Sequence, residues 1–145
     1  MSTETHTTVH RATPAAARLT TLAGWSMVAI ALLHTAVFIP QIPWGEWLDG
    51  GLRAAEPDME SVALFWALPG GIVVPALLLG MFIVRFGGEG RRVGLAVTAA
   101  LTAWALGCLW LVGPSGFMFV LVTSGLLTAA AVFDRPSCRR APTSD

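Results

Sequence analysis

Apolar residues in this chain fall into four long runs that are separated by short polar segments. The runs cover residues 22–39, 61–84, 93–112 and 116–133. A helix of about 18 residues is roughly 27 Å long and just crosses the hydrocarbon core of a bilayer. The pattern therefore predicts an all-α integral membrane protein, a four-helix bundle in which residues 22–133 form a single transmembrane domain. We expect residues 1–21 and 134–145 to be polar tails on the cytoplasmic side, the first of them disordered.

Two features within the runs shape the predicted bundle. The second run contains two prolines and two glycines between positions 69 and 75, which predict a kink or break in its outer third. The third and fourth runs are separated only by Gly113–Ser115, which predicts a tight antiparallel hairpin. Ala99, Ala103 and Gly107 form a ridge of small residues in the third run, and such a ridge permits a close helix contact and a homo-oligomer.

Composition supports a membrane protein and excludes other classes. Only 12% of the residues are charged, against about 25% in a soluble domain, and the mean hydropathy is +0.67. The formal net charge of zero excludes a protein that binds nucleic acid through a basic surface. Cys108 and Cys138 lack the spacing of a disulfide framework or a zinc site, so we expect free thiols and no metal. The sequence also has no Walker loop and no dinucleotide-binding fingerprint, and we expect no cofactor.

The arginines predict how the bundle is oriented. All nine basic residues are Arg, and eight of them lie in the two tails or in the loop at residues 85–92. Only Arg53 lies in the loop that joins the first two runs. Because positively charged loops stay in the cytoplasm, we expect a multi-pass cell-membrane protein, surrounded by membrane lipids, with both termini cytoplasmic. The loop at residues 40–60 then faces outward.

This outward loop concentrates the acidic residues. Five of the nine lie there: Glu46, Asp49, Glu56, Asp58 and Glu60. Trp44 and Trp47 flank Glu46, and Glu60 directly precedes the second run. One interpretation is an interfacial belt of tryptophans and carboxylates, with Glu60 stabilising a helix start. The alternative is that an apolar wall keeps Glu46 or Glu60 protonated, so that this side chain acts as a proton donor.

His34 is the ionisable residue that lies well inside an apolar run. At this depth an ionisable side chain predicts a functional role, here a helper or terminal base in proton transfer. The alternative is a packing histidine that is hydrogen-bonded to Thr35, Ser26 or a backbone carbonyl.

Six tryptophans are more than a membrane belt requires. Trp66 and Trp110 fall near the outward ends of their runs, and Trp104 lies deeper. Together with Trp47 they form the predicted wall of a substrate-binding cavity. An indole wall beneath a carboxylic acid suits one chemistry, in which an alkene or epoxide is protonated and cation–π attraction stabilises the carbocation. The lipophilic substrate would be a prenyl chain.

Three segments resemble a family of small four-helix membrane proteins that is common in actinobacteria. They read GWSMVAIALLHT in the first run, FWALPGGIVVPALLLG in the second and GCLWLVGPSGFMFVLVTSGLL across the third and fourth. This resemblance covers residues 22–133 and implies four spanning helices without implying an activity. In size and number of spans the chain is also similar to the small membrane-bound terpene cyclases of bacterial indole- and diketopiperazine-terpenoid pathways, which implies terpenoid cyclisation.

These observations lead to competing functional hypotheses. The first is a membrane-bound terpene cyclase in which Glu60 or Glu46 is the acid. The second is a non-enzymatic membrane subunit or small carrier that oligomerises in the bilayer, in which His34 and the carboxylates form a proton relay or only pack. A third, a redox protein that binds quinone or haem, requires a dimer, because His34 is the single axial ligand available within a run.

Overall fold

The computed structural model describes residues 12–134, and this part of the chain is all-α, as predicted. It contains six α-helices and two short 3-10 turns, with no strand among the described residues. The helices are α1 (Pro14–Phe38), α2 (Trp44–Leu48), α3 (Met59–Ala67), α4 (Val73–Gly88), α5 (Leu95–Val112) and α6 (Phe117–Phe133). The 3-10 turns cover Ile39–Gln41 and Gly51–Arg53.

Helix α1 begins well before the apolar run that starts at Leu22. The predicted disorder is therefore wrong for residues 14–21, which are helical. The reason is local: the Thr13 side chain accepts a hydrogen bond from the backbone N–H of Ala16, and Pro14 occupies the first helical position. Ala16 and Thr20 are fully buried, so packing also holds the first turns in place. Residues 1–11 and 135–145, the rest of the predicted tails, lie outside the described residues.

The second apolar run is divided between two helices, which confirms the predicted break. Helix α3 ends at Ala67 and α4 begins at Val73. Gly70 and Gly71 are required here by close approach, because a Cβ atom on Gly70 would overlap the Phe65 ring and one on Gly71 would overlap the Trp66 carbonyl oxygen.

Helix α1 lies between α4 and α6, and α5 packs against α6. Both neighbours of α1 run antiparallel to it: Gly24 of α1 meets Gly80 and Val84 of α4, and Ser26 of α1 shares a 2.7 Å hydrogen bond with Thr123 of α6. The contact with α4 depends on glycine, because a Cβ atom on Gly24 would lie 2.5 Å from the backbone nitrogen of Val84. Small residues thus bring the backbones of α1 and α4 together.

One end of the helices carries Arg18, Arg85, Arg91 and Arg92 and is named the arginine end. Asp134, the residue after α6, also lies at this end and is only 7% exposed. Its Oδ1 accepts the backbone N–H of Thr13 at 2.8 Å, and its Oδ2 lies 3.0 Å from Nε of Arg92. This carboxylate therefore ties the start of α1 and the loop before α5 to the end of α6.

Large apolar side chains cover the outer surfaces of the long helices. Two helical segments, Pro14–Gln41 and Leu95–Val112, are long and apolar enough to cross a membrane by length and composition. Helices α4 and α6 are apolar but shorter. Helix α5 is the least covered of them, since Thr98 and Ala105 are its buried residues.

Candidate functional site

The predicted site residues of the outward loop lie at the end of the helices opposite the arginine end. This end is covered by residues 39–72, which connect α1 to α4 and are named the cap. Ile42 and Leu68 of the cap form a buried apolar cluster with Val73 of α4, and Phe38 of α1 and Trp47 of the cap pack against this cluster. The cap is therefore folded onto the ends of α1 and α4, where the sequence predicts an interfacial loop.

Trp47 is the residue that fastens α2 to α3. Its indole Nε1 donates a 2.7 Å hydrogen bond to Oγ of Ser61, which is 1% exposed. The Trp47 ring also meets the rings of Trp44 and Phe65 edge to face, each with ring centroids 5.9 Å apart. The hydrogen bond of this half-buried indole, together with two aromatic contacts, holds the side chain in place. Sequence reasoning missed Ser61, whose hydroxyl is an ordinary feature of a helix start.

The two predicted acids are the sequence neighbours of the residues that form this hydrogen bond. Glu46 directly precedes Trp47 and Glu60 directly precedes Ser61, so the fold brings both carboxylates to the cap. Both residues are exposed. The Glu46 side chain lies against Gly51, where a Cβ atom would be 2.5 Å from Glu46 Cγ. The structure thus places the two acids at the same end of the molecule, and both side chains are exposed there.

Asp58 caps the start of α3. Its Oδ2 accepts the backbone N–H of Ser61 at 2.8 Å and so caps the helix. The cap hydrogen bond aligns Ser61 for Trp47, since the same residue provides both the capped backbone N–H and the buried hydroxyl.

His34 reaches from α1 to the break between α3 and α4. Its Nε2 lies 3.0 Å from the carbonyl oxygen of Ala67, the last residue of α3, and its ring lies 4.7 Å from the ring of Phe38. A carbonyl oxygen only accepts, so Nε2 carries a hydrogen and donates it to this carbonyl. The contact is the packing alternative that the sequence offered, and it satisfies a carbonyl group that the helix break leaves without a helical partner.

The four tryptophans of the predicted wall fall into two groups. Trp47 and Trp66 lie in the cap, where Phe65 stands between them with its ring centroid 5.6 Å from that of Trp66. Trp104 lies on α5, with its ring 5.3 Å from Phe117 of α6. Trp110, also on α5, is 89% exposed. The described contacts join Trp47 and Trp66 through one aromatic cluster, and neither Trp104 nor Trp110 has an aromatic contact with that cluster among the described residues.

Two open grooves lie away from the predicted site residues. One, of about 510 Å³, runs between α5 and α6, and the other, of about 390 Å³, lies between the arginine-end turns of α1 and α4. None of the predicted acids or tryptophans lines either groove. Within residues 12–134 no group of three His, Cys, Asp or Glu side chains is arranged to hold a metal ion.

Outside the cap, one exposed carboxylate has a perturbed proton affinity. A hydrogen bond from Arg85 lowers the pKa of Glu89, and Arg91 adds a weaker effect in the same direction. The Arg85 Nε atom lies 2.9 Å from the Glu89 carboxylate, one helical turn away. The pair contributes to the polarity of the loop before α5.

Comparison of the chain with protein-family models, with curated proteins and with solved structures gives no match in any of the three. The resemblances that rest on the quoted segments therefore stay predictions.

Proposed function

We propose that this chain is an integral membrane protein in which α1, α4, α5 and α6 cross the bilayer as a four-helix bundle. The support lies in the outer surfaces of these helices, where large apolar side chains are exposed on every one. Examples are Leu33 at 57%, Leu78 at 63%, Leu111 at 82% and Phe133 at 66% exposure. Burying one such side chain is worth about 1.5–3 kcal/mol, so a surface of this kind is stable in lipid and unfavourable in water.

The polar ends of the molecule fit the same arrangement. The arginine end would face the cytoplasm and the acidic cap would face outward, as the positive-inside rule requires. Helix α4 has 16 residues and is about 24 Å long, slightly short of the hydrocarbon core. The break at Gly70 and Gly71 therefore lies near the outer boundary of the bilayer, where the cap covers it.

Within this arrangement, the geometry supports a non-enzymatic membrane subunit best. The observation that carries this conclusion is the exposure of both Glu46 and Glu60. A carboxylic acid that protonates an alkene has to be held in a dry apolar pocket, because water stabilises the charged carboxylate. The contacts of Trp47 and His34 instead fasten α3 to α2 and to α1, which suits a platform for assembly.

Membrane integration and orientation can be tested together. In a background without Cys108 and Cys138, single cysteines at two exposed positions, Asp49→Cys in the cap and Gly88→Cys at the arginine end, are labelled with a membrane-impermeant maleimide on intact cells. We expect Asp49→Cys to react at once and Gly88→Cys to react only after permeabilisation. Release of the protein from membranes by alkaline carbonate would contradict integration, and the reverse labelling pattern would contradict the orientation.

A second candidate function is terpenoid cyclisation of a lipophilic prenyl substrate, without a cofactor. One observation favours it: each acid directly precedes a partner of the Trp47–Ser61 hydrogen bond along the chain, and Trp47 belongs to the aromatic cluster that includes Phe65 and Trp66. A lipophilic substrate bound on this surface would shield the carboxylates from water. The aromatic rings would then stabilise the carbocation by cation–π attraction.

The cyclase hypothesis is tested by replacing the acids one at a time. Membranes that contain Glu46→Gln or Glu60→Gln are incubated with a panel of farnesylated and epoxidised substrates, and the products are analysed by mass spectrometry. Glu56→Gln, a carboxylate of the same cap, is the matched control. A cyclase requires that wild type and control form a product that one of the two variants does not, whereas absence of product from wild type on every substrate supports the non-enzymatic subunit.

A further inference from the structure

The groove between α1 and α4 at the arginine end, of about 390 Å³, is a feature that the proposed function leaves unused. Ala17, Arg18, Thr21 and Leu22 of α1 line it, with Gly87 on the α4 side. Arg18 is exposed and is the only charged residue of this lining. The groove therefore combines one cationic side chain with a lining that is otherwise small or apolar.

The depth of the groove follows from the proposed membrane-spanning arrangement, on which this inference rests. Gly87 is the last residue but one of α4, the helix that is slightly shorter than the hydrocarbon core. A Cβ atom on Gly87 would overlap the Thr21 hydroxyl, so this turn of α1 is level with the end of α4. The groove then lies at the cytoplasmic boundary of the bilayer, at the depth of the lipid phosphate groups.

Arg18 differs from the other arginines of the arginine end in its ion pairs. Each of the other three lies within 3.5 Å of a carboxylate oxygen: Arg85, Arg91 and Arg92. They share two partners, Glu89 and Asp134, so four guanidinium groups face two carboxylates among the described residues of this end. Within residues 12–134, Arg18 forms no ion pair. The groove thus lies at a positively charged end and presents its unpaired guanidinium.

The end of α4 offers little repulsion to an anion in the groove. The last carbonyl groups of a helix are usually unpaired and give that end a partial negative charge. Here three of the last four are occupied, because the carbonyl oxygens of residues 85–87 accept the backbone N–H groups of residues 89–91 at 2.9–3.0 Å.

Beyond Arg18, the outer surface of α1 fits an acyl chain. Arg18, Leu22 and Trp25 have the spacing i, i+4 and i+7 and therefore share one face of the helix. Leu22 is 56% exposed and Trp25 is 57% exposed. Trp25 lies about 10 Å further along the helix axis than Arg18, towards the centre of the bilayer. This line of residues is complementary to a molecule with an anionic head and an apolar tail.

We infer that the groove binds an anionic phospholipid of the cytoplasmic leaflet, with its phosphate on the Arg18 guanidinium and an acyl chain along Leu22 and Trp25. A guanidinium group binds phosphate oxygens through paired, charge-assisted hydrogen bonds. Basic pockets between membrane helices on the cytoplasmic side are typical sites for anionic headgroups. A zwitterionic lipid carries its own cation beside the phosphate, so the excess positive charge of this end selects the anionic lipid.

The inference predicts that anionic lipid is enriched beside Trp25. The full chain is reconstituted in vesicles of phosphatidylglycerol and phosphatidylcholine, and bromine atoms are placed on the acyl chains of one lipid or of the other. Quenching of tryptophan fluorescence by bromine is compared at the same lipid composition. We expect stronger quenching when phosphatidylglycerol carries the bromine. The excess should disappear in Trp25→Phe, which removes the reporter beside the groove.

The headgroup contact is tested by Arg18→Gln. The affinity of the site for phosphatidylglycerol relative to phosphatidylcholine should fall by up to about fivefold, because one arginine beside an anionic surface contributes about 1 kcal/mol. The matched control is Arg85→Gln, which changes the net charge equally at a residue that is paired with Glu89 and does not line the groove. The control should keep the selectivity of wild type. An equal loss in both variants would overturn the inference, since surface charge in general would then attract the lipid.

The remaining outcomes separate this inference from the proposed function. Equal quenching by the two brominated lipids in wild type would overturn the inference and leave membrane integration standing, because both lipids would then contact tryptophan side chains. An excess that persisted in Trp25→Phe would place the anionic lipid elsewhere and would also overturn it. Absence of quenching by either lipid would count against the membrane-spanning arrangement itself.

Discussion

The crossing of α1 and α4 offers a sharp test of the fold, through the substitution Gly24→Ala. The added Cβ atom would lie 2.5 Å from the backbone nitrogen of Val84 and 2.7 Å from the carbonyl oxygen of Gly80. Both neighbours are backbone atoms and cannot rotate away. The two helices would therefore have to separate, and the packing around Ala23 and Ile83 would loosen.

The expected magnitude is the balance of two effects. Overpacking of a tight contact costs typically about 1–3 kcal/mol, and a clash with backbone belongs at the upper end of this range. Alanine recovers about 1 kcal/mol, because it is a better helix former than glycine. The free energy of unfolding should therefore fall by about 2 kcal/mol.

The assay is unfolding in mixed micelles with increasing SDS, followed by far-UV circular dichroism. Gly107→Ala is the control, because a Cβ atom there meets nothing within 4 Å and only the helix-propensity gain of about 1 kcal/mol remains. The two variants should differ in sign and by about 3 kcal/mol. If the Gly24→Ala variant were as stable as the Gly107→Ala variant, the close contact described between α1 and α4 would be refuted.

Three further predictions concern polar contacts, all measured in the same unfolding assay. Asp134→Ala should destabilise the protein by about 1.5–3 kcal/mol, and a double-mutant cycle with Arg92→Ala should show that the two losses do not add. His34→Ala should cost about 1–3 kcal/mol by leaving a carbonyl unpaired, whereas His34→Gln should recover part of this through its amide N–H, and equal losses would contradict the assigned hydrogen bond. Because Arg85 lowers the pKa of Glu89 below 4.5, this carboxylate stabilises the fold above about pH 4.5 and loses its contribution as the pH falls through the lowered value. Glu89→Gln should therefore flatten the dependence of stability on pH in that range, and an unchanged profile would count against the pair.

Much of the architecture was predictable because it depends on local signals. Runs of apolar residues identified the four helices of 16 or more residues that lie within residues 12–134, and the prolines and glycines around Gly70 identified the break. The start of α1 was not predictable from hydropathy, because Thr13 and Pro14 begin the helix in a polar segment whose stability depends on burial of Ala16 and Thr20. Hydropathy measures how a residue partitions between water and an apolar phase. It therefore does not report where a helix starts, because that depends on capping hydrogen bonds and on packing.

The candidate site was predictable in composition and not in arrangement. The sequence correctly placed Glu46, Glu60 and Trp47 in one acidic segment. It did not indicate that Ser61 would take the indole N–H, nor that His34 would reach the Ala67 carbonyl. Both contacts join residues from different helices, and spacing along the chain carries no information on such pairs.

By itself, the sequence determined the helical class, the number of long helices and the asymmetry between an arginine end and an acidic end, since these follow from residue type and local period. Tertiary structure alone decided which small residues meet. Gly24 is pressed against α4, whereas Gly107 and Gly125 face open space, although all three occupy similar apolar helices. The physical reason is that helix contact depends on rotation and crossing geometry, which are set jointly by all the side chains at the interface.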